Sequence, residues 1–427
     1  MGVNMEIYIV KQGDTISKIS SMSGLSEERI RILNGLDNDN LAVGQAILLL
    51  YPTVTYTVKQ GDTLEKIARQ FNTDIRSLWR ANYNISGTYE IYEGQNLVIY
   101  YGSSSKRSLI TNGYAYPNIN TSLLEKTLPY LTYISPFTYG FTEEGEILEL
   151  NDETIRSYAS REGTESLMHL STLTVEGNFS NILASNLLNN QSVWPAFADN
   201  ILSIIKARNF SGLDIDFEFV FASEAELYAQ LVSYLTSRLN PYGYKVICAL
   251  VPKSSDNQQG DFYQGHNYSL LGQAANFVFV MTYEWGYTYG PPMAVAPING
   301  VRNVLSYAVS KIPSSKILMG IPNYAYDWAL PYEKGISRAL LLGNDEAAAL
   351  AFDKNSEIKF DTGAQTPYFE YKEPDGKNHV VWFEDARSIN EKLKLIDEFN
   401  LAGAGYWNMM RPFNANWALL DYYYKIL

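Results

Sequence analysis

The sequence predicts an α/β chain in three parts. Two small α+β repeats occupy residues 6–50 and 55–100, a linker follows at 101–108, and a (β/α)8 barrel fills 109–427. Three observations predict this. The block Tyr8-Ile9-Val10-Lys11-Gln12-Gly13-Asp14-Thr15 returns as Tyr56-Thr57-Val58-Lys59-Gln60-Gly61-Asp62-Thr63, an offset of 48 residues. Beyond residue 109, eight short apolar runs alternate with helical stretches, the rhythm of strands joined by helices. One run, Gly212–Val220, carries Asp214, Asp216 and Glu218 at strand period.

Composition limits the functions available. Apolar residues make up 46% of the chain, enough for a sizeable core. A net charge of -13 and a pI of about 4.9 argue against nucleic acid or an anionic membrane as partner. The 33 tyrosines and 7 tryptophans suit core packing or stacking on sugar rings equally. Cys248 is the only cysteine, lies in a buried-strand pattern and reads as an inert small hydrophobe. His169, His266 and His379 show no metal-ligand spacing, so neither a metal nor any other cofactor is expected. The N-terminus lacks a basic region followed by an apolar run, and no apolar run reaches ~18 residues. Synthesis in the cytoplasm without a signal peptide is the expectation, with no membrane span.

In each repeat the order reads as strand, Gly-Asp-Thr turn, two short helices and a closing strand. Asp14 and Asp62 are the expected helix N-caps, with apolar residues following at helical spacing. Ala46–Leu49 and Asn96–Ile99 are the closing strands. These units resemble LysM domains from end to end. The resemblance implies binding of N-acetylglucosamine-containing glycan beside Gly13-Asp14-Thr15 and Gly61-Asp62-Thr63. Two weak modules on one chain would gain retention on a polymer through effective concentration. Gly102–Ser108 is small and polar and reads as a flexible linker.

The barrel strands are expected at Gly113–Tyr116, Leu131–Tyr139, Leu167–Leu173, Leu213–Val220, Val246–Val251, Phe277–Tyr283, Ile317–Ile321 and Gly405–Met409. Helices are expected at Thr121–Leu128, Trp194–Arg208, Ser223–Asn240 and Val301–Lys311. Residues from about 330 to 384 form an expected α+β insertion, with a helix at Asp345–Phe352 and strands at Glu357–Asp361, Pro367–Tyr371 and Val380–Phe383. A helix at Asp385–Phe399 leads into the last strand. In such a barrel the active site sits at the C-terminal strand ends. Glu218, Tyr283-Glu284-Trp285, Tyr324 and Trp407 lie near such ends. Three acids on the inward face of one strand are costly unless function demands them.

The chain from about 109 to 427 resembles family 18 glycoside hydrolases, the chitinase-like group. Their fourth-strand signature, Asp-x-x-Asp-x-Asp-x-Glu, is written here Ser211-Gly212-Leu213-Asp214-Ile215-Asp216-Phe217-Glu218. Met281-Thr282-Tyr283-Glu284 stands where the family usually has Met-Thr-Tyr-Asp, and Trp407 where it keeps a tryptophan. Ser211, Glu284 and the third strand, His169–Leu173, depart from the pattern. The resemblance implies that Glu218 acts as general acid, Asp216 orients the substrate's acetamido group, Asp214 stands behind it and Tyr283 hydrogen-bonds that group. It gives Trp407 the floor of a sugar subsite, with Met281, Glu284, Tyr324 and Trp285 as weaker substrate-side candidates. Stacked carboxyls should share protons and raise Glu218 toward the working pH.

The two repeats, the missing signal peptide and this divergent barrel are together similar to spore cortex-lytic, germination-associated enzymes of the YaaH/SleL type. That implies an N-acetylglucosaminidase acting on spore cortex peptidoglycan, made in the mother cell and deposited in the spore coat or cortex. A chitinase and a non-catalytic wall-binding lectin are the alternatives.

Overall fold

The computed structural model describes residues 4–82, 90–173 and 179–427. Eight parallel strands close on themselves: Arg107–Ala115, Tyr133–Pro136, Glu165–Ser171, Gly212–Asp216, Lys245–Leu250, Phe277–Val280, Ile317–Pro322 and Gly403–Trp407, the last pairing back with the first. Closure leaves no sheet edge inside the barrel. A ninth strand, Tyr424–Ile426, adds to the start of the first, which the sequence reading missed along with the helix Asn414–Tyr423 before it.

The helices form where apolar residues recur every three or four positions. Trp194–Arg208 buries Trp194, Phe197, Ala198, Ile201, Leu202 and Ile205 on one stripe. Pro195 sits in its first turn, and Asn209 ends it in the left-handed conformation. The chain then enters the acid strand at Gly212. A Cβ there would lie 2.1 Å from the Lys245 carbonyl oxygen, so only glycine lets these two strands approach so closely.

Four expectations are corrected. Regular strand pairing in the fourth strand stops at Asp216 and does not run to Val220, which leaves Glu218 on the loop beyond it. The insertion begins earlier than 330. Its antiparallel sheet holds five strands, in the order Leu340–Leu342, Ala325–Leu330, Asn378–Trp382, Thr366–Lys372 and Lys359–Asp361. The helix N-caps are Thr15 and Thr63, not Asp14 and Asp62. Tyr8 and the Lys11 amide donate to the Asp14 carboxylate at 2.7 and 2.8 Å, and Tyr56 with the Lys59 amide does the same for Asp62. Each carboxylate thus ties the turn to the strand before it, and the next residue caps the helix.

Fourth, the stretch 101–108 is no free tether. Arg107 is already in the first barrel strand, and the Lys106 ammonium donates to the Asp421 carbonyl. The repeats themselves are docked. In the second, Arg76 donates to the carbonyls of Leu128, Leu131 and Gly163. Arg80 donates to Asp421 at 2.7 Å and to the Pro129 carbonyl at 3.1 Å. The first repeat meets the insertion through Ile358 N–H to the Val43 carbonyl, and the C-terminal helix through Asn414 to the Ile32 carbonyl. A cavity of about 160 Å³ lies between the repeats and that helix, and none of its lining residues belongs to the acid cluster.

Candidate active site

The three carboxylates sit in three different surroundings. Asp214 is fully buried in the barrel. Its Oδ2 accepts from Ser135 Oγ at 2.7 Å and Asn112 Nδ2 at 3.2 Å, side chains from the second and first strands. Burial raises its carboxyl, and the neighbouring Asp216 charge adds to this against His169 and Ser135. Asp216 lies 3.7 Å from Nε2 of His169, and among the described residues its buried Oδ1 has no partner. Glu218 is half-buried, two residues beyond the strand end.

Burial is the largest cause that holds the Glu218 carboxyl well above the ordinary range. The charges of Asp216 and Glu284 follow. The direction matches the sequence expectation, while the leading cause is desolvation and not proton sharing along the ladder. A carboxyl raised in this way holds its proton to higher pH than an ordinary glutamate, the property a general acid needs.

Tyr283 is brought to the same cluster. Burial and the charges of Asp216, Glu218, Glu284 and Asp214 raise its phenol well above the usual value. Its ring fits because residue 320 is glycine: a Cβ there would come within 2.8 Å of the ring. Among the described residues its hydroxyl has no protein partner, so it is free to meet a ligand. Glu284 takes a left-handed φ of 67°, a strained conformation for a residue with a side chain. It is open to solvent on one side, while the protein crowding its other sides raises its carboxyl. Tyr324 Oη donates to it at 3.2 Å.

Trp407 ends the eighth strand half-buried. Its ring centroid lies 4.9 Å from Phe137, 5.7 Å from Tyr114 and 6.1 Å from Tyr116. Met281 is buried directly after the sixth strand. The Trp285 ring packs on Gly300, where a Cβ would come within 2.8 Å of it. In the repeats, Gly13 and Gly61 turn with φ of 79° and 80°, and Thr15 and Thr63 are exposed beside them.

Sequence reasoning missed Asn112, Ser135, Tyr114, Tyr116, His169 and His266. Tyr116 is 37% exposed, and the Glu218 charge helps to raise its phenol, which puts it on the rim beside the acid. His169 is fully buried between Tyr114 and Phe137, with Nδ1 2.7 Å from Thr138 Oγ1. No local pattern marks any of them.

A closed barrel with a carboxyl of raised pKa beyond one strand's C-terminal end, two more acids behind it and an aromatic rim has the layout of a glycoside hydrolase. Residues 96–411 match the model of Glycosyl hydrolases family 18, and the chain belongs to that family. Residues 8–49 and 56–99 each match the LysM domain. The chain is 36% identical over 430 residues to the cortical fragment-lytic enzyme of Bacillus subtilis (strain 168), covering 99% of both. The fold superposes on the spore cortex-lytic enzyme SleL of Bacillus cereus with a TM-score of 0.84 and 35% identity, covering 100% of this chain and 99% of that one. The Bacillus megaterium QM B1551 SleL structure gives 0.84 and 36%, with the same coverage.

Proposed function

We propose that the protein is an N-acetylglucosaminidase that cleaves β-1,4 bonds after N-acetylglucosamine in spore cortex peptidoglycan or its fragments during germination. The carrying observation is the graded ladder. Asp214 is tied to Ser135 and Asn112, Asp216 keeps an oxygen without a partner among the described residues, and the Glu218 carboxyl is raised well above its ordinary range. The names of the relatives, cortical fragment-lytic and spore cortex-lytic, support cortex as the polymer. The LysM pair supports retention on an N-acetylglucosamine-containing glycan. On this reading the enzyme works within the spore.

The ladder fits a retaining reaction in which the substrate supplies the nucleophile. Glu218 gives its proton to the glycosidic oxygen as the C1–O bond breaks. The 2-acetamido carbonyl oxygen attacks C1 from the other face and forms an oxazolinium. Asp216 accepts the acetamido N–H through its untied oxygen, and the Tyr283 hydroxyl donates to the acetamido carbonyl. Glu218, now a carboxylate, takes a proton from water as that water opens the ring at C1.

The test is product mass spectrometry on cortex fragments, intact cortex and chitin oligomers, with borohydride reduction to mark the new reducing end. Reduced N-acetylglucosamine ends from cortex, lost with Glu218→Gln, are expected. Cleavage of chitin alone would move the substrate to chitin, and no cleavage of any of them would remove the enzymatic reading.

A further inference from the structure

Glu218 sits on backbone that the barrel does not hold. Strand pairing ends with Asp216 opposite Ser171 on one side and Ile215 opposite Cys248 on the other. The next residue, Phe217, is locked by its ring, stacked between Phe141 at 5.3 Å and Tyr228 at 5.5 Å. That fixes the segment's helix-facing side, while among the described residues the carbonyls of Phe217 and Glu218 have no strand partners. Both point at one buried side chain, His266, whose Nε2 lies 3.0 Å from the first and 3.2 Å from the second.

His266 belongs to the loop after the fifth strand and is fully buried. Burial lowers its imidazole to about 4, so the ring is neutral at neutral pH. Two carbonyls can only accept, so the single ring proton is on Nε2 and is shared between them. The histidine is itself anchored. The buried Lys253 ammonium donates to the His266 carbonyl at 3.0 Å, and the Lys253 amide donates to Tyr268 Oη at 3.2 Å. Tyr268 in turn donates to the Val251 carbonyl at 2.6 Å. Beside His266, a Cβ on Gly265 would lie 2.1 Å from the Val220 carbonyl, so the two loops touch backbone to backbone.

We propose that His266 is a positioning residue: its Nε2–H clamps the Glu218 backbone and thereby sets where the acid's proton points. This rests on the glycosidase reading above. Its consequence differs from general damage to the barrel. A misplaced acid slows departure of a leaving group that needs a proton, and matters little for one that departs as a stable anion.

The test uses the full chain with His266→Leu and His266→Gln, assayed on cortex glycan and on oligosaccharides carrying either a poor or an activated aryl leaving group. For His266→Leu the expected result is a kcat loss on the order of 10²-fold on the glycan, with KM little changed. On the activated aryl glycoside the loss should shrink to within about 10-fold. His266→Gln, which can still present an N–H to the carbonyls, should restore most of the rate. Should the leucine variant fail to fold, His266→Asn, too short to reach both carbonyls, should show the same dependence on the leaving group. Equal losses on every leaving group, or an unchanged kcat, would overturn the inference alone. A wild-type chain that cleaves none of these substrates would overturn the glycosidase reading and this inference with it.

Discussion

Replacing Arg80 with alanine asks whether the repeats and the barrel behave as one body. The guanidinium side chain is 3% exposed and the Asp421 carboxylate 11%, with 2.7 Å between them. Arg80 also donates to the Pro129 carbonyl and to Ser77 Oγ. Removing one partner from a pair so far out of solvent costs about 3–5 kcal/mol, because the other charge stays buried. Lys106, 3.9 Å from Asp421 Oδ2, remains to compensate in part, which puts the loss near the low end, about 3 kcal/mol. Native-state hydrogen exchange through the helix Ile75–Ala81 reads this directly. Its amides should exchange on the order of 10²-fold faster, since each 1.4 kcal/mol of opening free energy is about a factor of ten. Cleavage of short soluble oligosaccharides should stay unchanged, as none of the acids touches this junction. Arg80→Met with Asp421→Leu should recover most of the loss by removing both charges together. A loss below ~1 kcal/mol for Arg80→Ala, the value of an exposed pair, would refute docking through this clamp.

Two further outcomes follow from the site. In the proposed mechanism Glu218 works protonated, so the rate should fall as pH rises through its raised pKa, and the Glu284 charge is one cause of that elevation. Glu284→Gln removes the like charge and should move the alkaline limb of the pH–kcat profile to lower pH; an unmoved limb would separate the two groups. Cys248 is fully buried and its thiol is pushed up to about 12, so an aromatic disulfide reagent at pH 8 should find no reactive thiol until denaturant is added.

What could be read from the sequence was whatever a short stretch encodes by itself. The repeats announce themselves through eight-residue blocks, and Asp214, Asp216 and Glu218 through a period of two. Boundaries held where the apolar rhythm was strong: the helix Trp194–Arg208 forms with the expected ends. They failed where a distant group changed the outcome. The strand Ala325–Leu330 was invisible because Asp327 breaks its apolar run. In the fold that carboxylate accepts from Tyr371 at 2.6 Å and lies 2.8 Å from His379 Nδ1, partners 44 and 52 residues away. The caps shifted by one residue because a tyrosine hydroxyl six residues earlier claims each aspartate.

The same division runs through the site, and it explains why the acids were found and their support was not. A carboxylate facing the inside of a barrel is conspicuous because burial makes it costly, so its presence alone points to chemistry. The groups that make it tolerable need no special type or spacing. Ser135 and Asn112 come from 79 and 102 residues before Asp214. His266 lies 48 residues after Glu218, and read alone it is an ordinary buried histidine. Two of the three histidines, without metal-ligand spacing in the sequence, converge on the acid segment from the third strand and the fifth-strand loop. The chain's own order hides this, because neighbours in a parallel barrel are separated by whole helices. The acid cluster is therefore written locally, while the geometry around it is written only in the closure of the barrel.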